Sequence, residues 1–151
     1  VPLLINDQVD VAAAAGADGV HLGQDDLPIA VARTLLGPTR IIGKSTHSLD
    51  QALSADAEAL TYVALGPIYT TPTKPNYRCV GPDLIADVAS RLRHPLIVIG
   101  GIDDATVADV AQRGATCVAV VRAVCSADDP AAAARRLKDR LAQFLRPRAS
   151  S

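Results

Sequence analysis

Ala15-Gly16-Ala17-Asp18-Gly19-Val20-His21-Leu22-Gly23-Gln24-Asp25-Asp26 decides the fold. It reads as a helix end, a glycine stop, a tight turn and a short apolar strand that closes on polar residues. Gly16, directly after the helical stretch 11–15, stands where a left-handed C-cap is expected. Arg113-Gly114-Ala115-Thr116-Cys117-Val118 repeats the pattern after a second helical stretch over 107–113. Two copies of helix, stop, turn and buried strand imply a repeating βα unit.

Working outward, apolar runs at 3–5, 20–22, 41–42, 62–65, 96–99 and 117–121 are each bounded by Gly, Pro or Asp. Such short runs are expected of strands buried on both faces. Ala-rich helical stretches separate them, and strand starts recur mostly at roughly 21 residues, so the sheet is parallel. In the last stretch Leu137, Leu141, Phe144 and Leu145 form one helical stripe, opened by Asp129 as capping carboxylate and Pro130 in the first turn. Six units fit in 151 residues, whereas a closed eightfold barrel needs about 200, or roughly 25 per unit. The period alone fits either a TIM (βα)8 barrel lacking two units or an open six-stranded sheet.

Composition narrows the function. The chain is 49% hydrophobic and 21% charged with a net charge of −1, which argues against nucleic acid or an anionic membrane as partner. No apolar run approaches the roughly 18 residues of a membrane span, and the first residues are too short and uncharged for a signal peptide. Three cysteines, Cys79, Cys117 and Cys125, without a Cys-x-x-Cys pair exclude a zinc ribbon and point to reduced thiols in the cytoplasm. The chain contains no Met, so Val1 is not expected to be a translation start and an upstream segment is expected.

In parallel α/β folds chemistry collects past the C-terminal strand ends. Here those positions hold Asn6-Asp7, Gly23-Gln24-Asp25-Asp26, Ser45-Thr46-His47-Ser48, Gly66 with the loop to Pro75, Gly100-Gly101-Ile102 and Val121-Arg122-Ala123. Asp7 and Asp26 end successive strands, and two carboxylates on one rim suit Mg²⁺; alternatively each caps the helix that follows. Gly100-Gly101 with Arg122 one strand later fits a phosphate site after the last two strands, although a glycine pair is also an ordinary tight turn. The loop 70–75 offers three threonines and a lysine to an anion, or is a plain proline-rich connection. His47 ends a strand, His21 reads as a satisfied interior histidine, and His94 as a surface residue. No serine-hydrolase elbow, Gly-x-Gly-x-x-Gly, Walker loop or His-x-x-x-His pair occurs.

Six stretches in order resemble the thiamine-phosphate synthase family: Leu4-Ile5-Asn6-Asp7; Gly19-Val20-His21-Leu22-Gly23-Gln24-Asp25-Asp26-Leu27-Pro28; Ile42-Gly43-Lys44-Ser45-Thr46-His47-Ser48; Gly66-Pro67 with Thr71-Pro72-Thr73-Lys74-Pro75; Ile99-Gly100-Gly101-Ile102; and Val118-Ala119-Val120-Val121. The resemblance implies a TIM barrel that joins hydroxymethylpyrimidine diphosphate to thiazole phosphate and releases pyrophosphate with Mg²⁺. It implies that Asp7 and Asp26 hold the metal, and that Asn6, Ser45 and Lys74 contact the pyrimidine diphosphate, with Lys74 and Ser45 as catalytic residues. Thr71, Pro72, Thr73, Gly101, Val121 and Arg122 would bind the thiazole phosphate. The implied mechanism is dissociative: the C–O bond breaks to a pyrimidine methyl cation that the thiazole nitrogen attacks, so positioning and charge neutralisation outweigh proton transfer.

Position 122 is Arg where many relatives carry a small Ser, which would exchange a hydroxyl for a guanidinium clamp. The family's first two strands, the second carrying a basic diphosphate-gripping stretch, are expected to be missing, roughly 50–60 residues at about 25 per unit. Residues 1–147 are expected to form one partial-barrel domain and 148–151 a flexible tail. Two rivals stand beside the synthase: a thiazole tautomerase on the same barrel, using His47, and a non-catalytic phosphate-binding fragment. The expected partners are the two small-molecule substrates, and oligomeric state is left open.

Overall fold

Val20, Leu22, Ile42, Val63 and Leu65 are sealed from solvent, and their alternation along the strands fixes which face of the sheet the helices cover. The computed structural model describes residues 1–72 and 78–145. It divides into two compact units, Val1–Leu65 with Arg91–Leu96, and Gly66–Ser90 with Ile97–Ser151.

In the first unit β1 (Leu4–Asn6), β2 (Gly19–Leu22), β3 (Ile41–Thr46) and β4 (Tyr62–Leu65) pair in parallel, each with the next. Helices α1 (Val9–Ala14), α2 (Ile29–Leu36) and α3 (Leu49–Asp56) alternate with them. Their buried residues are Val9 and Ala12, Ile29 and Ala32, and Ala52 and Ala55. In α1 and α2 one branched side chain fills the core while alanine lets the backbone approach, whereas α3 buries two alanines and Asp56. Each buried Val, Leu or Ile contributes about 1.5–3 kcal/mol over an exposed one.

The second unit carries α4 (Leu84–Ala89), α5 (Val107–Gln112), β6 (Val118–Ala119), α6 (Arg122–Cys125) and α7 (Pro130–Leu145). β5 (Leu96–Ile99) pairs with β6, Val98 against Val118 and Ile99 against Ala119. Within each unit the strands pair in chain order, as successive βα units demand.

Both predicted glycine stops are present, and they are built alike. Gly16 has φ 62° and Gly114 φ 100°. Gly16 donates to the Ala13 carbonyl and Ala17 to that of Ala12; Gly114 donates to Ala111 and Ala115 to Val110. This is the paired bonding of a Schellman motif, and it buries Ala17 and Ala115 at the start of the next turn. Asp129 caps α7 as predicted, its Oδ1 accepting from the Ala132 N–H at 2.9 Å.

Some expectations change. β3 runs to Thr46 rather than stopping at Ile42, because its polar residues find partners: the Thr46 hydroxyl donates to the Ala64 carbonyl at 2.9 Å. The stripe on α7 is narrower, with Ala133 and Leu137 buried but Phe144 and Leu145 exposed. His94 is no plain surface residue; its Nδ1 lies 2.9 Å from Oδ1 of buried Asp56. The three cysteines are free and exposed. The expected tail at 148–151 lies outside the described residues, and within these no helix is long and apolar enough to cross a membrane.

Candidate active site

The candidate residues fall into two groups, one in each unit. In the first, Asn6 ends β1 and Asp7 follows it with φ 66°. That left-handed conformation is uncommon for a non-glycine residue. It is fixed by the Asp7 N–H donating to the His21 carbonyl at 2.8 Å. Asp26 lies in the turn after β2, where Oδ2 accepts from the Gly23 N–H at 2.6 Å. Two more bonds hold that turn: Lys44 Nζ donates to the Gly23 carbonyl at 2.7 Å and Gln24 Nε2 donates to the Ser45 carbonyl.

The N-cap of α1 is Gln8 and that of α2 is Pro28, both without a side-chain cap bond, so neither aspartate is itself the N-cap residue. Among the described residues no group of three or more His, Cys, Asp or Glu assembles as a metal cage. The candidate donors are instead two carboxylates in the segments after the paired strands β1 and β2, and Mg²⁺ commonly takes one or two carboxylates and completes its octahedron with waters and substrate phosphates. The residues present fit that ion.

Ser45 sits inside β3, and its Oγ lies 2.8 Å from Nε2 of His21. Nδ1 of the same imidazole lies 2.8 Å from the Tyr62 hydroxyl, and the two rings stack with centroids 5.6 Å apart. His21 is thus satisfied at both nitrogens, as read from the sequence. That its partners are Ser45 and Tyr62 was not legible, since they stand 24 and 41 residues away. His47 donates its backbone N–H to Gln51 Oε1 at 2.7 Å. A cavity of about 250 Å³ lies against α3, lined by Lys44, Asp50, Gln51, Ser54 and Glu58 among others. Lys44 and Ser45, as consecutive strand residues, point to opposite faces of β3, so this cavity is not on the Ser45 side.

In the second unit, the loop after β4 is pinned at both ends. Ile68 and Tyr69 donate to the carbonyls of Ile99 and Gly100 at 2.9 and 3.0 Å on the outgoing side. On the return, Val80 and Gly81 donate to Pro67 and Ile68. Gly100 and Gly101 have φ 103° and 65°. A Cβ on Gly100 would lie 2.5 Å from Pro67 Cα, and one on Gly101 2.7 Å from Tyr69 Cβ and 2.9 Å from the Thr70 carbonyl. Only glycine satisfies both the backbone angle and the contact. Gly101 is thereby brought against the backbone that leads into Thr71 and Pro72.

β5 and β6 pair as far as Ile99 and Ala119, and Gly101 and Val121 each follow two residues later in the chain. Val121 precedes α6, and Arg122 is its exposed first residue. Thr73 and Lys74 lie outside the described residues. Beneath this group the Tyr69 hydroxyl donates to Asp109 Oδ2 at 2.6 Å, and Arg113 Nε donates to Oδ1 at 2.9 Å. Burial and the Asp109 carboxylate push the Tyr69 phenol up to about 12. The same bond, joined by that from Arg113, holds Asp109 below the usual carboxylate range. None of these three was singled out from the sequence, because their partnership exists only in three dimensions.

Residues 1–124 match the family described as thiamine monophosphate synthase. A thiamine-phosphate synthase of Mycobacterium sp. strain KMS is 52% identical over 140 residues, covering 92% of this chain and 62% of the relative. One from Chloroflexus aurantiacus is 48% identical, covering 91% and 64%. The chain thus spans less than two thirds of the length of these curated relatives. Among solved structures, thiamine phosphate pyrophosphorylase from Pyrococcus furiosus superposes with a TM-score of 0.86 at 34% identity, over 95% of this chain and 68% of that one. The fold class is accordingly the TIM-barrel-like βα repeat. With six ordered motifs, the residue match over 1–124 and these relatives in agreement, the chain belongs to the thiamine monophosphate synthase family.

Proposed function

We propose that this chain carries the synthase chemistry of its family, joining hydroxymethylpyrimidine diphosphate to thiazole phosphate with loss of pyrophosphate. The observation that carries the reading is that Asp7 and Asp26 stand in the segments that follow the paired strands β1 and β2. Bound Mg²⁺ would supply charge neutralisation to the departing pyrophosphate. Asp7 and Asp26 would hold it, while Asn6 and Ser45 position the pyrimidine diphosphate. Lys74, outside the described residues, is assigned by family resemblance to the leaving group. Thr71, Pro72, Thr73, Gly101, Val121 and Arg122 would bind the thiazole phosphate. The reaction then needs positioned donors more than a general base, which matches a rim poor in titrating side chains. The tautomerase and non-catalytic readings gain no support from the relatives.

Incubating the native full-length polypeptide with both substrates and Mg²⁺ should release pyrophosphate, and chelation should stop it. Asp7→Asn and Asp26→Asn should each weaken Mg²⁺ activation severely with the fold retained. Turnover that persists in excess chelator, or in both variants, overturns the metal assignment. Absence of thiamine phosphate overturns the activity.

A further inference from the structure

The register of the first four strands places Asn6, His21, Gly43 and Tyr62 in one row. Side chains in one row of a parallel sheet share a face. Gly43 is the vacancy in that row: a Cβ there would lie 2.1 Å from Tyr62 Cζ. The Tyr62 ring therefore lies across Gly43 and reaches His21. Ser45, two residues beyond Gly43, shares the face and meets the other imidazole nitrogen. All three side chains are half-buried. His21 also supplies the carbonyl that fixes Asp7, so one residue holds two candidate site residues, by backbone and by side chain.

We propose that His21 is a positioning residue: the chain Tyr62–His21–Ser45 occupies the Ser45 oxygen as acceptor and turns its hydroxyl hydrogen toward substrate. A phenol, with a pKa near 10, is a far stronger acid than an aliphatic hydroxyl. Of the two hydroxyls flanking the imidazole, Tyr62 therefore donates, to Nδ1. In a neutral imidazole one nitrogen accepts and the other donates, so Nε2 carries the proton and donates to Ser45 Oγ. Ser45 is left with its own O–H to give to an acceptor atom of the pyrimidine diphosphate. Without the imidazole, the serine hydroxyl turns among several directions and loses that bias.

This inference rests on the synthase reading, and the experiment separates the two. In the native full-length polypeptide, His21→Leu should lower kcat/KM for the pyrimidine diphosphate roughly ten- to a hundredfold and leave KM for thiazole phosphate unchanged. His21→Gln, whose amide N–H reaches where Nε2–H stood, should recover most of the loss. Ser45→Ala should match His21→Leu, and the double variant should be no worse than either single one. Nitrogen NMR on the unmodified protein should find the Nε2–H tautomer, with Tyr62→Phe releasing that preference. A protonated Nδ1 with bare Nε2, additive losses in the double variant, or no rescue by Gln overturns the proposal. If the unmodified protein makes no thiamine phosphate, the synthase reading fails, and the NMR measurement still decides the tautomer.

Discussion

Asp56, almost fully buried at the end of α3, accepts backbone N–H bonds from both Arg93 and His94 and side-chain bonds from the same two residues. Burial alone would push this carboxyl up, but the bonds from His94 and Arg93 more than reverse it and hold it well below the usual carboxylate range. A depressed carboxyl adds stability that is full above its unfolded pKa, near 3.9, and is lost as pH falls through the folded value. Asp56→Asn should therefore flatten the acid limb of a stability–pH curve and cost about 1–3 kcal/mol at neutral pH from the bonds it leaves unmade. Denaturant unfolding at a series of pH values checks this.

At the opposite end of the scale stands Tyr69. Its raised phenol contributes stability that is complete below pH 10 and is lost as pH rises through about 12. Tyr69→Phe should remove that alkaline sensitivity and cost about 1 kcal/mol at neutral pH. Absorbance titration of the phenol reads the first outcome and thermal unfolding the second.

Gly43→Ala should displace the Tyr62 ring, since the new methyl would stand 2.1 Å from its Cζ. Overpacking of this kind costs about 1–3 kcal/mol. Pairing it with Tyr62→Ala should recover part of the loss, because the clash disappears with the ring. Non-additive unfolding energies in the double-mutant cycle are the expected result.

Arg122, exposed at the start of α6, should contribute a charge-assisted contact to thiazole phosphate worth roughly 1.5–3 kcal/mol. Arg122→Ala should raise the KM for that substrate about ten- to a hundredfold and leave the pyrimidine diphosphate KM unchanged. Steady-state kinetics with each substrate varied in turn checks both.

All six strands could be read from the sequence because each contains a short apolar run, and the two Schellman turns because glycine announces them locally. The same criterion cut β3 short at Ile42. Lys44, Ser45 and Thr46 look like loop residues until Gly23, His21 and Ala64 are seen opposite them. The candidates Asp7, Asp26 and Gly101 could be picked out because they lie in the segments that follow β1, β2 and β5. The supporting layer of Tyr62, Asp109 and Asp56 was not, since each works through a partner about 37 to 41 residues distant that no local pattern encodes. His94 shows the limit: a histidine before proline reads as surface, and only a buried carboxylate on another element makes it a partner.

The loop after β4 is hydrogen-bonded to Ile99 and Gly100 as it leaves and to its own Pro67 and Ile68 as it returns. Its base is a clasp, closed by backbone groups whatever side chains lie beyond. Side-chain substitutions between Thr70 and Cys79 should leave that clasp in place, since none of its bonds uses a side chain. If the span holds substrate phosphate, as proposed, selectivity becomes a graftable property that can be exchanged without rebuilding the clasp.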